Sequence, residues 1–470
     1  MSQTTSVRTT PRQKAMGTPV QAKGSMSLPE LILVGVGGII GAGFFLGCGL
    51  PISTAGPGVL ISFVLGGLIT AQVIGSLSSV ALDHPVEGAF KVYADMYLGR
   101  YLGYMQGWTY YLTSILTISS EAVASAIFVR VWLPHVPLWV LSSGFAALIL
   151  LINAFGVANF GRIESVMSVI KIAALVGFVV FVALMLFGVR PHTLTNPISM
   201  TAGTGFFPHG VTGIFQSMLI VIFSFAGIGV FATAAVELKH PKQLDKGAVL
   251  TIVTLTALYV LSIGTLLMIL PWSRVSTNIS PFVQALQFVH MRALADILNA
   301  VILVAAFSVM AGAVFSANQI LASLGHTGEA PRLSIRTSRH RHVQYGALLF
   351  TTIGIAIFLT LSYVLPSNVY NFLVSASSFL TFFNYFMMLA TFLSWRRKNR
   401  AKQVSRLAFG QPVSTFLTMA AVLFLAIYAL TEREQRLGFY ACVAMSALLS
   451  IGYFFTRKYK QGMNDANSSG

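Results

Sequence analysis

Glu121 and Lys171 stand in the middle of long apolar stretches, where an ionisable side chain costs about 2.5–3.5 kcal/mol on insertion scales and so calls for a function or a partner. Lys171 can hold and release a proton, or it can be a structural ammonium that ties its own segment to backbone carbonyls of another. Glu121, close to Ser119 and Ser120, can relay protons, meet a substrate amine, or pair with a serine or a basic side chain. Ser308 can face Lys171, or it can bond back to its own helix. A further kind of chemistry is carried by backbone. Residues 35–47 read Gly-Val-Gly-Gly-Ile-Ile-Gly-Ala-Gly-Phe-Phe-Leu-Gly, and residues 223–229 read Phe-Ser-Phe-Ala-Gly-Ile-Gly. Helices this rich in glycine invite unwinding. Inside a bilayer, unwound backbone is tolerated only where it is buried in protein or lines a cavity, and there its N–H and C=O groups become ligands for a charged solute. Small residues spaced as in Gly37-x-x-x-Gly41 also serve close helix packing, but a second break in a corresponding place favours a binding site.

The elements that must position these groups are membrane spans. The chain has 470 residues, 55% hydrophobic and only 9% charged, with a mean hydropathy of +0.77. A soluble surface needs about 25% charged residues, so this is an all-α integral membrane protein. Twelve apolar runs are predicted, near 31–50, 58–81, 103–133, 138–157, 163–188, 212–236, 248–271, 294–323, 344–365, 367–393, 413–430 and 437–456. With the N-terminus in the cytoplasm, 23 of the 30 Lys and Arg residues fall inside and 6 outside, Lys171 being within a span. The net charge of +17 is therefore a topology signal with anionic lipid as its partner, not a nucleic-acid footprint, and it puts both termini in the cytoplasm. Five spans separate the two glycine breaks. Five is odd, so the second set enters the membrane from the opposite side, as in an inverted repeat. The expected division is a disordered cytoplasmic tail (1–27), a first five-helix repeat (31–188), a second (212–394), two appended helices (413–456) and a cytoplasmic tail (457–470). An amphipathic helix is expected within 83–100. Glu237 and Lys239, just after the sixth run, read as a cytoplasmic gate or a solvated cap.

Catalysis has little support in the sequence. The nine histidines lie in loops or at span ends, and Cys48 and Cys442 are far apart within apolar runs, so neither a catalytic cluster, a metal site, a cofactor nor a disulfide is indicated.

The ordered motifs resemble the amino acid–polyamine–organocation superfamily, and within it the bacterial permeases for 4-aminobutyrate, lysine and aromatic amino acids. The resemblance runs through Gly38-Ile-Ile-Gly-Ala-Gly-Phe-Phe-Leu-Gly47, Thr54-Ala-Gly-Pro-Gly58, Pro85-Val-Glu-Gly-Ala-Phe90, Gly107-Trp108, Phe160-Gly-Arg-Ile-Glu164, Ile170-Lys171, Phe223-Ser-Phe-Ala-Gly227 and Gly328-Glu-Ala-Pro331. It implies a LeuT-like fold of twelve helices with broken helices one and six, and secondary, usually proton-coupled, uptake of an amino acid across the cell membrane. It also implies roles for residues. The substrate carboxylate would rest on N–H groups of Gly41, Ala42 and Gly43, its ammonium on carbonyls of Ile39, Phe223 and Ala226 beside Gly227, with Phe223 as a covering gate. Lys171 would replace the sodium that some relatives of this fold bind, with Glu121 and Ser308 sharing the proton coupling. Three departures stand out: Gly229 replaces a usual Glu after Gly227, Ser78-Ser79 replaces Gly-Glu, and Asn318-Gln319 replaces Ser-Arg. Without the acid at 229, a net-neutral substrate is expected. An exchanger, or a sensor built on the same pocket, is the alternative reading.

Overall fold

The computed structural model describes residues 26–84, 89–155, 160–187, 205–235, 238–337, 344–364 and 369–468. Glu237 and most of the N-terminal tail lie outside these. In chain order the α-helices are α1 (Leu28–Ile39), α2 (Ala42–Phe45), α3 (Gly49–Ala55), α4 (Val59–Asp83), α5 (Ala89–Tyr97), α6 (Arg100–Val129), α7 (Leu138–Ala154), α8 (Phe160–Phe187), α9 (Thr212–Phe223), α10 (Ile228–Ala235), α11 (Leu244–Ile269), α12 (Pro281–Phe288), α13 (Arg292–His326), α14 (Tyr345–Val364), α15 (Val369–Lys398), α16 (Val413–Tyr428) and α17 (Arg433–Ser468). Among the described residues, nine helices are long and apolar enough to cross a membrane, and Leu28–Ile39, Leu138–Ala154 and Tyr345–Leu361 are shorter apolar helices. The segment between α4 and α6 holds the helix α5, as its amphipathic pattern predicts. The last helix continues to Ser468, so the C-terminal tail is helical.

The chain enters its first helix through a reciprocal cap. The Glu30 carboxylate accepts from both the N–H and the hydroxyl of Ser27 (2.7 and 2.8 Å), which satisfies donors that a helix start leaves open. Just before it, Met26 is buried and pairs with Leu238 in an isolated parallel bridge, and Lys239 N–H donates to Met26 C=O. The end of the predicted tail is thus fastened to the segment that follows α10.

Burial follows an inside-out pattern suited to lipid. On α8 the buried side carries Glu164, Ser168 and Lys171, spaced four and three residues apart, while Ile163, Val166, Val169 and Ile170 are exposed. The centre of the bundle is α6, packed against α13, α15 and α7. Where the first and sixth apolar runs break, an aromatic cluster packs against the first of them. Phe44 stacks on Tyr259 (centroids 3.9 Å apart, 13° between planes), and Phe63, Phe225 and Phe282 meet this pair edge-on or tilted.

The polar end of the bundle is tied by buried charge. Lys91 of α5, wholly buried, meets Glu329 at 2.9 Å and donates to Thr327 Oγ1. Thr327 in turn donates to the carboxylate oxygen that Lys91 meets, Glu329 Oε2, and the Trp108 indole N–H donates to Glu329 C=O. These contacts join α5 and α6 to the turn after α13. Glu329→Gln keeps the shape and removes the charge. It is expected to cost about 1.5–3 kcal/mol of stability, seen as a lower melting temperature in detergent, with Lys91→Met in the same background restoring part of the loss.

Candidate functional site

The first break is short and sharp. α1 ends at Ile39, Ile40 and Gly41 are extended, and helix resumes at Ala42. The second lies between Phe223, where α9 ends, and Ile228, where α10 begins. The two breaks touch. A Cβ on Gly227 would stand 2.4 Å from Gly38 O and 2.9 Å from Ile39 Cα, so only glycine lets the backbones approach this closely.

Backbone groups at that depth need partners, and side chains from the second break and from other helices bond to carbonyls at and beside the two breaks. Ser224 Oγ donates to Gly43 O (2.9 Å), Tyr259 OH to Ser224 O (2.9 Å), Tyr370 OH to Ala42 O (3.2 Å) and Tyr385 OH to Phe225 O (3.4 Å). Ala226 N–H donates to Phe223 O (2.9 Å) within the second break.

The N–H groups of Ala42 and Gly43 are taken by Glu121 of α6, at 3.0 and 3.3 Å to its two carboxylate oxygens. Glu121 is 2% exposed. The positions that the family resemblance assigns to a substrate carboxylate therefore hold a carboxylate of the protein itself. Gly41 makes room for it, since a Cβ there would stand 2.8 Å from Glu121 Oε1.

A cavity of about 40 Å³ opens beside this contact. Ile39, Gly43, Glu121, Phe223, Ala226 and Gly227 line its side next to the breaks, and the Phe223 ring lies over Gly43, 2.8 Å from where a Cβ would be. Sequence reasoning missed the opposite wall. It is formed by Tyr110, Thr113, Ser114 and Thr117 of α6 with Val309, Ala313 and Ser316 of α13. Those α6 positions and Glu121 recur at three, four and seven residues, a polar stripe along one face of an apolar helix that the sequence already displays.

Lys171 and Ser308 do not line the cavity; they lie on the other flank of the first break. Lys171 Nζ donates to Gly37 O (2.5 Å), Ile40 O (3.2 Å) and Ser308 Oγ (2.6 Å). Ser308 Oγ in turn donates a hydrogen bond to Glu164 Oε1 (2.5 Å), which stands 3.6 Å from Lys171 Nζ. Glu164 is 1% exposed, a buried counter-charge that sequence reasoning also missed, although it precedes Lys171 by seven residues and so shares its helix face. The arrangement contains two buried carboxylates and one buried ammonium, one carboxylate on each side of a backbone break. It can bind a zwitterion through main-chain groups and move protons between discrete partners.

Comparison with known proteins accords with this chemistry. The family model described as amino acid permease matches residues 30–457. The uncharacterized transporter YcgH of Bacillus subtilis is 30% identical over 452 residues, which cover 96% of this chain and 98% of that protein. The aromatic amino acid transport protein AroP of Escherichia coli K12 is 28% identical over 441 residues, 93% of this chain and 96% of its own length. The gamma-aminobutyric acid permease of Bacillus subtilis is 28% identical over 445 residues, covering 93% and 94%. Family and relatives are transporters and not enzymes, and the apolar helices make this a multi-pass membrane protein. The chain belongs to the amino acid permease family.

Proposed function

We propose that the protein is a proton-coupled secondary permease that takes a net-neutral amino acid into the cell, built as twelve spans in two inverted five-helix repeats (31–188 and 212–394) plus an appended pair, with both termini cytoplasmic. The observation that carries this reading is Glu121 seated on Ala42 and Gly43 N–H at the edge of a buried cavity. In this proposal the substrate carboxylate takes the same N–H groups. Two carboxylates cannot share two donors in a dry pocket while both are charged, because mutual repulsion and desolvation favour protonating one of them. Arrival of substrate is therefore linked to Glu121 taking a proton and turning away, and the linkage is reciprocal. The substrate ammonium then faces carbonyls of Ile39, Phe223 and Ala226 at the two breaks, under the Phe223 ring.

Lys171, Ser308 and Glu164 form the second half of the mechanism. The charged ammonium holds α8 to the carbonyls at the first break; the neutral amine holds them more weakly, so protonation biases the equilibrium between outward- and inward-facing states. Substrate neutrality follows from the same inventory. A second ammonium would need a counter-charge, and the acids near the breaks do not supply it: in this proposal Glu121 is neutral once substrate is bound, and Glu164 is held by Ser308 and Lys171.

The test is competition for uptake in proteoliposomes across a panel of labelled amino acids at several pH values. Neutral amino acids should compete and arginine should not. Protonation of Glu121 frees the N–H groups, so apparent substrate affinity should rise as pH falls, and Glu121→Gln should flatten that dependence. Arginine competing as well as neutral amino acids, or a pH profile that Glu121→Gln leaves unchanged, would contradict the reading.

A further inference from the structure

Gly229 of α10 has no side chain, and the structure shows what stands in the space. A Cβ at 229 would lie 1.3 Å from the hydroxyl of Tyr110 and 2.3 Å from its Cζ. Tyr110 is buried, its ring stacked on Phe90 of α5 (centroids 4.8 Å apart, 25° between planes), and its hydroxyl lies between Ser114 and Ser316. No residue larger than glycine fits at 229 while Tyr110 holds this position. The floor of the cavity is thus a phenol, braced from behind by an aromatic ring on a separate helix.

The wall above the floor has a defined hydrogen-bonding character. Thr113 Oγ1 donates to Thr109 O and accepts from Asn384 Nδ2, Ser114 Oγ donates to Tyr110 O, and Thr117 Oγ1 donates to Thr113 O. Their protons are committed to the helix backbone, so toward an occupant Ser114 and Thr117 act as acceptors, with the Tyr110 hydroxyl beside the first and Ser377 Oγ 3.3 Å from the second. Ser316, 1% exposed, lines the same cavity with the Tyr110 hydroxyl beside it, and among the described residues its hydroxyl has no other polar side chain as partner. A buried hydroxyl with a single polar neighbour keeps hydrogen-bonding capacity that an occupant of the cavity can use. The space itself is small. At about 40 Å³ for the whole cavity, counted as space for water-sized groups, it leaves little room for an occupant beyond its own backbone.

We propose that Tyr110, filling the space at Gly229, closes the side-chain chamber to large substrates, and that with Ser316 and the α6 hydroxyls it selects small net-neutral amino acids carrying a side-chain hydroxyl, of the size of serine and threonine. This rests on the permease reading above. Charge is refused because the floor presents a neutral phenol, and bulk is refused because that phenol is immobilised by Phe90. A substrate hydroxyl meets acceptors on α6 and the Ser316 hydroxyl on α13. A site built to pair a hydroxyl rejects the analogue without one far more strongly than an apolar pocket rejects one methylene, for which the ratio is about 10–200-fold.

The test uses the full chain in proteoliposomes, with labelled serine and competition by unlabelled threonine, alanine, leucine, phenylalanine and tryptophan. Serine and threonine should compete at least about 10-fold better than alanine, and phenylalanine and tryptophan should be weaker still. Tyr110→Phe retains the ring on Phe90 and so the floor; it should narrow the serine-to-alanine ratio while leaving leucine and phenylalanine excluded. Tyr110→Ala removes the floor and should admit leucine and phenylalanine. Both variants are checked for a monodisperse profile in detergent before assay. Wild-type preference for phenylalanine or tryptophan, or Tyr110→Ala admitting no larger substrate, overturns the inference while leaving the permease reading standing. Absence of uptake for every amino acid tried overturns both.

Discussion

Lys171→Ala is expected to end accumulation of substrate against its gradient while leaving exchange of labelled for unlabelled substrate in place. The Lys171 ammonium reaches across from α8 to carbonyls in the last turn of α1 and at the break itself, Gly37 at 2.5 Å and Ile40 at 3.2 Å. Removing it cuts the tie between α8 and the break, so a proton gradient no longer biases which face of the binding site is open. The variant also leaves Glu164 buried without its counter-charge, a loss of about 3–5 kcal/mol that unfolding could disguise as a functional effect. Glu164→Gln on the Lys171→Met background removes the stranded charge and keeps the volume. That double variant should fold, bind and exchange, yet bring substrate only to equilibrium. Accumulation by the double variant under an imposed pH gradient would make Lys171 a structural tie and nothing more.

Gly43→Val is expected to weaken substrate binding by at least about 100-fold, equivalent to about 2.8 kcal/mol. The ligand meets main chain at this residue, and the Phe223 ring already stands 2.8 Å from the position of a Cβ. Two further methyl groups would lie across the route to the Gly43 N–H and displace the ring that covers it. Gly43→Ala, with a single methyl group, should lose less. Insertion and detergent stability are the controls, because the neighbouring backbone pairing through Tyr370 and Ser224 uses carbonyls that the substitution does not touch. Unchanged affinity in a well-folded Gly43→Val protein would move the carboxylate site elsewhere.

How much of this could be read from the chain depends on whether the signal was local. Glycine density announces both breaks because helix propensity and membrane depth act on consecutive residues, and the structure places the breaks at Ile40–Gly41 and between Phe223 and Ile228. A charge in an apolar stretch is equally visible, which is why Lys171 and Glu121 stood out. Their partners are not local. Glu164 sits near the start of α8 beside the exposed Arg162, where a carboxylate reads as a solvated cap, and only packing against α13 shows that it is buried on Ser308. The partner of Glu121 is hidden from sequence for a related reason. Sequence can show that N–H groups at Ala42 and Gly43 come free, but a side chain 78 residues away that reaches the second of them is a fact of tertiary structure. Tyr110 is the extreme case: the missing side chain at Gly229 was noted, whereas the residue that fills the vacancy lies on another helix.

The central claim is that substrate and proton enter together through the site at the first break. It is tested most directly by loading proteoliposomes with a pH-sensitive dye, clamping the membrane potential, and adding a neutral amino acid outside with no imposed pH difference. The account predicts that the interior acidifies as the amino acid enters, in proportion to the amount taken up, and that Glu121→Gln and the Lys171→Met, Glu164→Gln double variant abolish the acidification. Uptake of the same amino acid by the wild-type protein with no change in internal pH would contradict it.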